Sequence, residues 1–327
     1  MRSVVVASTR RSAGKTSMIV GIAGNLDAPP GYMKPLGDRI LYRKKRLWDV
    51  DAALMTELLE IEEAPEDISM GMDHSKLRYM YDEATTGQRL REMVERVGQG
   101  RELVFVEGCR GLTYGASVHL DPLSLARTLD ARLLLVASGE PHAMVDDLTF
   151  IRGNLGLEGV DLAGVVLNRV EDPAEFRDVH LEGIAATGMP VLGVVPRVER
   201  LERYSVRFLA DALFAKVQAG EAGLDRQVER VFVGAMSARA ALANPLFQGE
   251  GKLIITGGDR SDMVLAALEG DTAAVVLTNN VPPTPQMIAR AEARGIPLLQ
   301  VAHDTFKAAM MVDDLEPLLV AGDTARA

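Results

Sequence analysis

One cysteine, Cys109, stands in 327 residues. A lone thiol excludes an internal disulfide framework and any cysteine-clustered metal centre. Histidine is almost as scarce, and His74, His119, His142, His180 and His303 show no metal-ligand spacing. No run approaches the roughly 20 apolar residues needed to span a bilayer. The N-terminal Met-Arg-Ser-Val-Val-Val runs into a glycine-lysine motif rather than to a small-residue cleavage site. A cytoplasmic protein with no membrane partner is expected. Excess basic charge is lacking too: the formal charge is −10, which argues against a nucleic-acid partner. The one basic run, Arg43-Lys44-Lys45-Arg46, reads as a solvated loop.

What remains is an ordinary globular composition, 47% hydrophobic and 25% charged, in a chain long enough for two domains. Short apolar runs at Val4–Ala7, Leu103–Val106, Leu133–Ala137, Leu162–Leu167 and Val191–Val195 suit strands buried on both faces. Helical patterns at Asp51–Glu60, Leu77–Val97 and Tyr204–Val217 lie between and after them. The alternation predicts a doubly wound, mostly parallel α/β sheet. Around Val217–Gln227 the composition turns small and polar, so domains of residues 1–220 and 221–327 are expected. The second reads as a smaller α/β unit, with strands at Val231–Ala235, Leu253–Thr256, Ala274–Leu277 and Leu298–Val301. Helices are expected near Ala238, Ser261, Pro285 and Thr305.

The first strand leads into Ser8-Thr9-Arg10-Arg11-Ser12-Ala13-Gly14-Lys15-Thr16-Ser17. This has the place of a phosphate-binding loop, but Ser8 and Thr9 stand where glycine is usual. Unpaired N–H groups at a helix N-terminus bind phosphate, and the helix dipole favours an anion there. Lys15 would reach the β/γ-phosphates and the Thr16 hydroxyl would ligate Mg²⁺. Ser12, Ala13, Gly14 and Ser17 complete the cradle. Glu107, at the end of a strand, is either a metal ligand or a solvated acid. Asp49 and Asp51, just before a helix, are each either an N-cap or a metal ligand. Asn168 follows a strand and reads bottom-up as a turn residue or a ligand contact. Lys34, beside Pro35, is either solvated or part of a site.

"STRRSAGKTS", "GYMKPLG" (Gly31–Gly37), "DVDAALM", "VEGCRGL" and "GVVLNRV" (Gly164–Val170) occur in this order. In that order they resemble dethiobiotin synthetase and, more closely, the synthetase-like N-terminal region of long bacterial phosphotransacetylases. The resemblance implies an ATP- and Mg²⁺-binding domain. It implies catalytic roles for Lys15 and Lys34 and a metal site of Thr16, Asp51 and Glu107. It further implies that Asn168 reads the adenine edge, that Pro196 lies along the base, and that the protein is a homodimer. Lys34 would face a substrate carboxylate. The synthetase has a hydroxyl-bearing residue where this chain reads Gly37-Asp38, and an acid there repels an anionic substrate unless a metal or an arginine compensates. Arg10 or Arg11 stands where the synthetase carries an acid, and either would favour a polyanion. Cobyrinate-amidating relatives need a cysteine nucleophile in a glutaminase domain. The C-terminal half has none, which excludes that chemistry, and Cys109 reads as an inert small residue.

"KLIITGGDRSDM", Lys252–Met263, resembles the DRTGG domain that follows the synthetase-like region in those phosphotransacetylases. Gly257, Gly258, Asp259, Arg260 and Ser261 form either a structural turn or a ligand loop for an unnamed small molecule, with Ser261 as N-cap. Asp304 or Thr305 would cap the last helix. With the chain ending at Ala327, no acetyltransferase domain is expected. The resemblance as a whole implies an ATP/Mg²⁺-binding regulatory or sensor protein and leaves room for slow ATP hydrolysis. The alternative is an ATP-dependent ligase or kinase acting on a carboxylate.

Overall fold

The computed structural model describes residues 1–43, 46–198, 201, 203–245, 247–313 and 315. Lys44 and Lys45 of the basic run lie outside the described residues. The chain divides into two compact units, the break falling after Val198.

In the first unit the strands are β1 (Arg2–Ser8), β2 (Gly31–Met33), β3 (Ile40–Arg43), β4 (Arg46–Asp49), β5 (Leu103–Glu107), β6 (Arg132–Ala137), β7 (Leu162–Val170) and β8 (Val191–Pro196). Six of them form one sheet in the order β2-β5-β1-β6-β7-β8, and every pair is parallel. Consecutive residues such as Val5 and Val6 are wholly buried, as expected when helices cover both faces. All five expected strands are present. The three-residue β2 and the β3–β4 hairpin carry no comparable apolar run and were not anticipated. The hairpin pairs Ile40 with Asp49, which carries Asp38 and Arg39 back beside the start of the helix Val50–Leu58.

The expected helix Leu77–Val97 is two helices, His74–Met80 and Glu83–Val97. The break is a capping event: Asp82 is extended, and its carboxylate accepts the Thr85 N–H at 2.8 Å. An aspartate so placed ends one helix and starts the next.

The second unit holds β9 (Tyr204–Ser205), β10 (Lys216–Ala219), β11 (Gln227–Val228), β12 (Arg230–Val233), β13 (Lys252–Gly257), β14 (Thr272–Thr278) and β15 (Leu298–Gln300). Its main sheet runs β10-β15-β14-β13-β12, parallel except for the edge strand β10. Tyr204–Val217 was expected to be helical and to close the first domain. Only Val206–Ala212 is helical, Tyr204–Ser205 pairs with β11, and Lys216 pairs with Gln300. The expected boundary at 220/221 therefore falls inside the second unit, because β10 is part of its sheet. Helices start at Ala238, Ser261, Pro285 and Thr305, at the expected places.

Candidate phosphate-loop site

The carboxyl ends of the adjacent strands β1 and β5 meet at the site. The register sets Val6 beside Glu107, so β1 runs two residues past the acid to Ser8 and the loop. Crevices at the carboxyl ends of parallel strands are the usual ligand position in such sheets. Ser12 (φ 57°) and Gly14 (φ 93°) take left-handed backbone before the helix Lys15–Ala23 begins. A Cβ on Gly14 would also press into the Asn168 side-chain amide, so glycine is required there twice over. Thr9 Oγ1 and Ser12 Oγ are buried hydroxyls without a hydrogen-bond partner, which fits a loop shaped for an anion. Arg10 turns away from the loop. Its Nε and second nitrogen lie 2.6 and 3.2 Å from the two oxygens of Asp147.

Lys15 is buried, with Nζ 3.1 Å from Ser8 Oγ. Burial pulls its pKa down, against the attraction of Glu107. Glu107 is 2% exposed, which disposes of the solvated alternative. Its oxygens accept Thr16 Oγ1 at 3.0 Å and Tyr32 OH at 2.9 Å. Burial, joined by the nearby charge of Asp51, pushes its pKa up. The Tyr32 hydroxyl is held well above its ordinary value by burial and by Glu107, so it remains a donor. Thr16 and Glu107 thus stand together as candidate metal ligands; Ser17 follows one residue along the helix.

Lys34 lies in a second cluster. Its ammonium, 2% exposed, donates to Asp38 Oδ1 at 2.9 Å and Asp51 Oδ2 at 2.5 Å, and sits 3.2 Å from Asp49 Oδ1. Burial opposes its charge, but Asp51, Glu107, Asp49 and Asp38 outweigh that and raise its pKa well above the ordinary value. Arg39 reaches Asp51 at 3.2 Å and Arg110 reaches Asp38 at 3.2 Å. Despite burial, Asp38 and Asp51 are both held below the usual carboxylate range, chiefly by Lys34. Asp49 caps the helix Val50–Leu58 through the N–H groups of Asp51 and Ala52, and its other oxygen accepts those of Asp38 and Arg39. Asp49 is therefore the cap of the expected pair. Lys34 is not solvated, and the acid at position 38 is already paired with two cations.

Asn168 is buried in β7 and donates to the Ala13 carbonyl at 2.8 Å, bracing the loop from beneath. Pro196 ends the edge strand β8, three strands from β1, and is exposed. Cys109 is buried, and burial with Asp38 nearby lifts its thiol pKa to about 12, so it stays protonated. Ser8, Tyr32, Arg39 and Arg110 were not singled out from the sequence as site residues. Tyr32 lies in a strand too short to show a period, and the arginines are ordinary loop residues until the hairpin closes.

In the second unit, Gly257 ends β13 and Ser261 is the first residue of the helix Ser261–Glu269. The expected Ser261 cap is not found. Arg260 holds the N-cap position without a side-chain cap bond, and its guanidinium donates to the Met236 carbonyl at 2.9 Å. A Cβ on Gly258 would press into the Val281 backbone, so this glycine is explained by close packing of two strand-end loops. Asp304 caps the last helix through the Lys307 N–H at 2.8 Å.

The family model described as AAA domain matches residues 2–205, and that described as DRTGG domain matches residues 208–315. The chain belongs to the AAA domain family. Within this AAA domain protein, the P-loop region and the DRTGG region together support nucleotide binding. It is similar to the phosphate acetyltransferase of Pseudomonas aeruginosa, 24% identical over all of this chain and 49% of that protein. It is also similar to that of Deinococcus radiodurans, 26% identical over 97% of this chain and 47% of that protein. The AAA domain protein thus spans about half the length of the curated relatives it matches. Among solved structures, the MinC:MinD cell division protein complex of Aquifex aeolicus gives a TM-score of 0.39 at 15% identity, covering 62% of this chain and 84% of that one. The CBS and DRTGG domains of Clostridium perfringens pyrophosphatase give a TM-score of 0.31 at 25% identity, covering 35% and 47%. Among the described residues no helix is long and apolar enough to cross a membrane.

Proposed function

We propose that the protein binds ATP with Mg²⁺ at the loop Ser8–Ser17 and acts as a regulatory or sensor protein whose DRTGG unit takes a second small ligand. One observation carries this reading. Lys15 and Glu107 are the two charged groups of the site in which burial outweighs the neighbouring charges, the lysine shifted downwards and the carboxyl upwards. Their attraction for each other does not offset the burial of either. A polyphosphate beside Lys15 and a divalent ion beside Thr16 and Glu107 would favour the charged form of both. The ion's contribution would be to neutralise phosphate charge.

The ligase or kinase alternative needs Lys34 to receive a substrate carboxylate. Its ammonium already faces three carboxylates of the chain. That favours binding and regulation over transfer to a carboxylate. Titration calorimetry with ATP, with and without Mg²⁺, tests the reading, and absence of heat for every nucleoside triphosphate sinks it. Robust product formation from a carboxylate that disappears in Lys34→Ala would restore the ligase. A homodimer is part of the proposal and is read by light scattering at micromolar concentration, where a monomer with and without ATP refutes it.

A further inference from the structure

The family pattern gives Asp51 to the metal, and the geometry points elsewhere. We infer that the Lys34 ammonium is the resident cation of the Asp38–Asp49–Asp51 cluster, and that it excludes a divalent ion from that cluster and withdraws Asp51 from metal binding. This deepens the reading above by restricting the protein's share of the metal site to Thr16 and Glu107.

Oxygens of Asp38, Asp49 and Asp51 lie within 4.8 Å of one another, an arrangement that could hold a cation. Lys34 Nζ occupies it, at 2.9, 3.2 and 2.5 Å from the three. Charge balance gives the same answer. Three carboxylates meet Lys34, Arg39 and Arg110, so the cluster is electrically neutral as it stands. A divalent ion added to it would leave two uncompensated positive charges in a buried place, a cost that desolvation makes large. Glu107 differs. Its hydrogen-bond partners Thr16 and Tyr32 are neutral hydroxyls, so a metal can reach its oxygens without evicting a hydrogen-bonded cation.

Lys34 is held by the fold on every side. β2 ends one residue before it, the hairpin brings Asp38, and the helix beginning at Val50 brings Asp49 and Asp51. Its backbone N–H donates to the Ile68 carbonyl at 3.1 Å. A side chain fixed in this way has little freedom to retreat for an incoming ion.

The test uses Mn²⁺ as probe, read by electron paramagnetic resonance on the full chain. Without nucleotide, the wild type should bind no Mn²⁺ that Asp51→Asn removes, whereas Lys34→Met should gain one bound ion and a Mn²⁺-dependent rise in melting temperature. With ATP present, Asp51→Asn should leave Mn²⁺ affinity within about twofold while Glu107→Gln weakens it by about tenfold or more, the range for losing a group that matters to a metal. The inference is overturned if wild-type Mn²⁺ binding without nucleotide is lost in Asp51→Asn, if folded Lys34→Met gains no ion, or if Asp51→Asn weakens the ATP-bound ion as much as Glu107→Gln does. The nucleotide-free measurements stand even where ATP fails to bind, which separates failure of this inference from failure of nucleotide binding. If Lys34→Met does not fold, the Asp51→Asn and Glu107→Gln comparisons decide.

Discussion

At the residue scale the loop hangs on Gly14, whose left-handed backbone and contact with Asn168 both demand the absence of a Cβ. Gly14→Ala should cost about 1–2 kcal/mol of backbone strain, displace Asn168 from Ala13, and abolish ATP binding by calorimetry while the fold persists by circular dichroism. ATP affinity retained in that variant would contradict the cradle. The buried charges set the pH response. Asp51, held low in the fold, contributes stability above its unfolded pKa of about 3.9 and loses it as pH falls through its folded value. Lys34, held high, contributes below its unfolded pKa of about 10.4 and loses it as pH rises through its folded value. Lys15 and Glu107 are shifted the opposite way and cost stability while charged. Breaking one partner of a buried pair costs about 3–5 kcal/mol. Asp51→Asn should therefore lower the urea midpoint at neutral pH and shallow its acid fall. An unchanged midpoint would show the cluster to be energetically idle.

At the element scale the strand-end loops of the DRTGG unit are packed against one another at Gly258. A Cβ there meets Val281 backbone, which has no rotamer in which to give way. Gly258→Ala should cost about 1–3 kcal/mol by overpacking and speed amide exchange in the segment 257–261 and around 279–281. Near-neutral stability would remove close packing as the reason for the glycine. The elements also show what a sequence can reveal. The long buried strands were legible because both faces are apolar and each run is bounded by turn residues. The place of the loop Ser8–Gly14 between β1 and a helix was legible too. The β3–β4 hairpin was not, since Ile40–Asp49 mixes charged and apolar residues without a clean alternation. With it went the Lys34 cluster: no local pattern tells that Asp38, Asp49 and Asp51 will converge on one ammonium. The break at Asp82 was readable in principle, as an aspartate three residues before Thr85, but the apolar period runs through it. Strand β10 failed for another reason. It is a short antiparallel edge whose identity depends on β15, more than seventy residues later.

At the scale of the whole molecule, each unit has its own sheet and its own buried clusters, with Val5, Leu133 and Leu167 in the first and Ile254, Val275 and Leu299 in the second. Two such units give the regulatory proposal a sharp requirement. Binding at one must change the free energy of the other, and linkage makes that change reciprocal. Hydrogen exchange on the full chain is the direct measure. ATP with Mg²⁺ should slow exchange at residues 8–17 and also alter it in the 257–261 and 278–284 loops of the second unit. A shortened chain ending at residue 198 should then bind ATP with an affinity different from that of the full chain, because the term contributed by the second unit is gone. If exchange changes only in the first unit and the two affinities agree, nucleotide binding stands but the units are independent. The protein would then be a nucleotide-binding domain and a separate ligand-binding domain on one chain, and the sensor reading would fall.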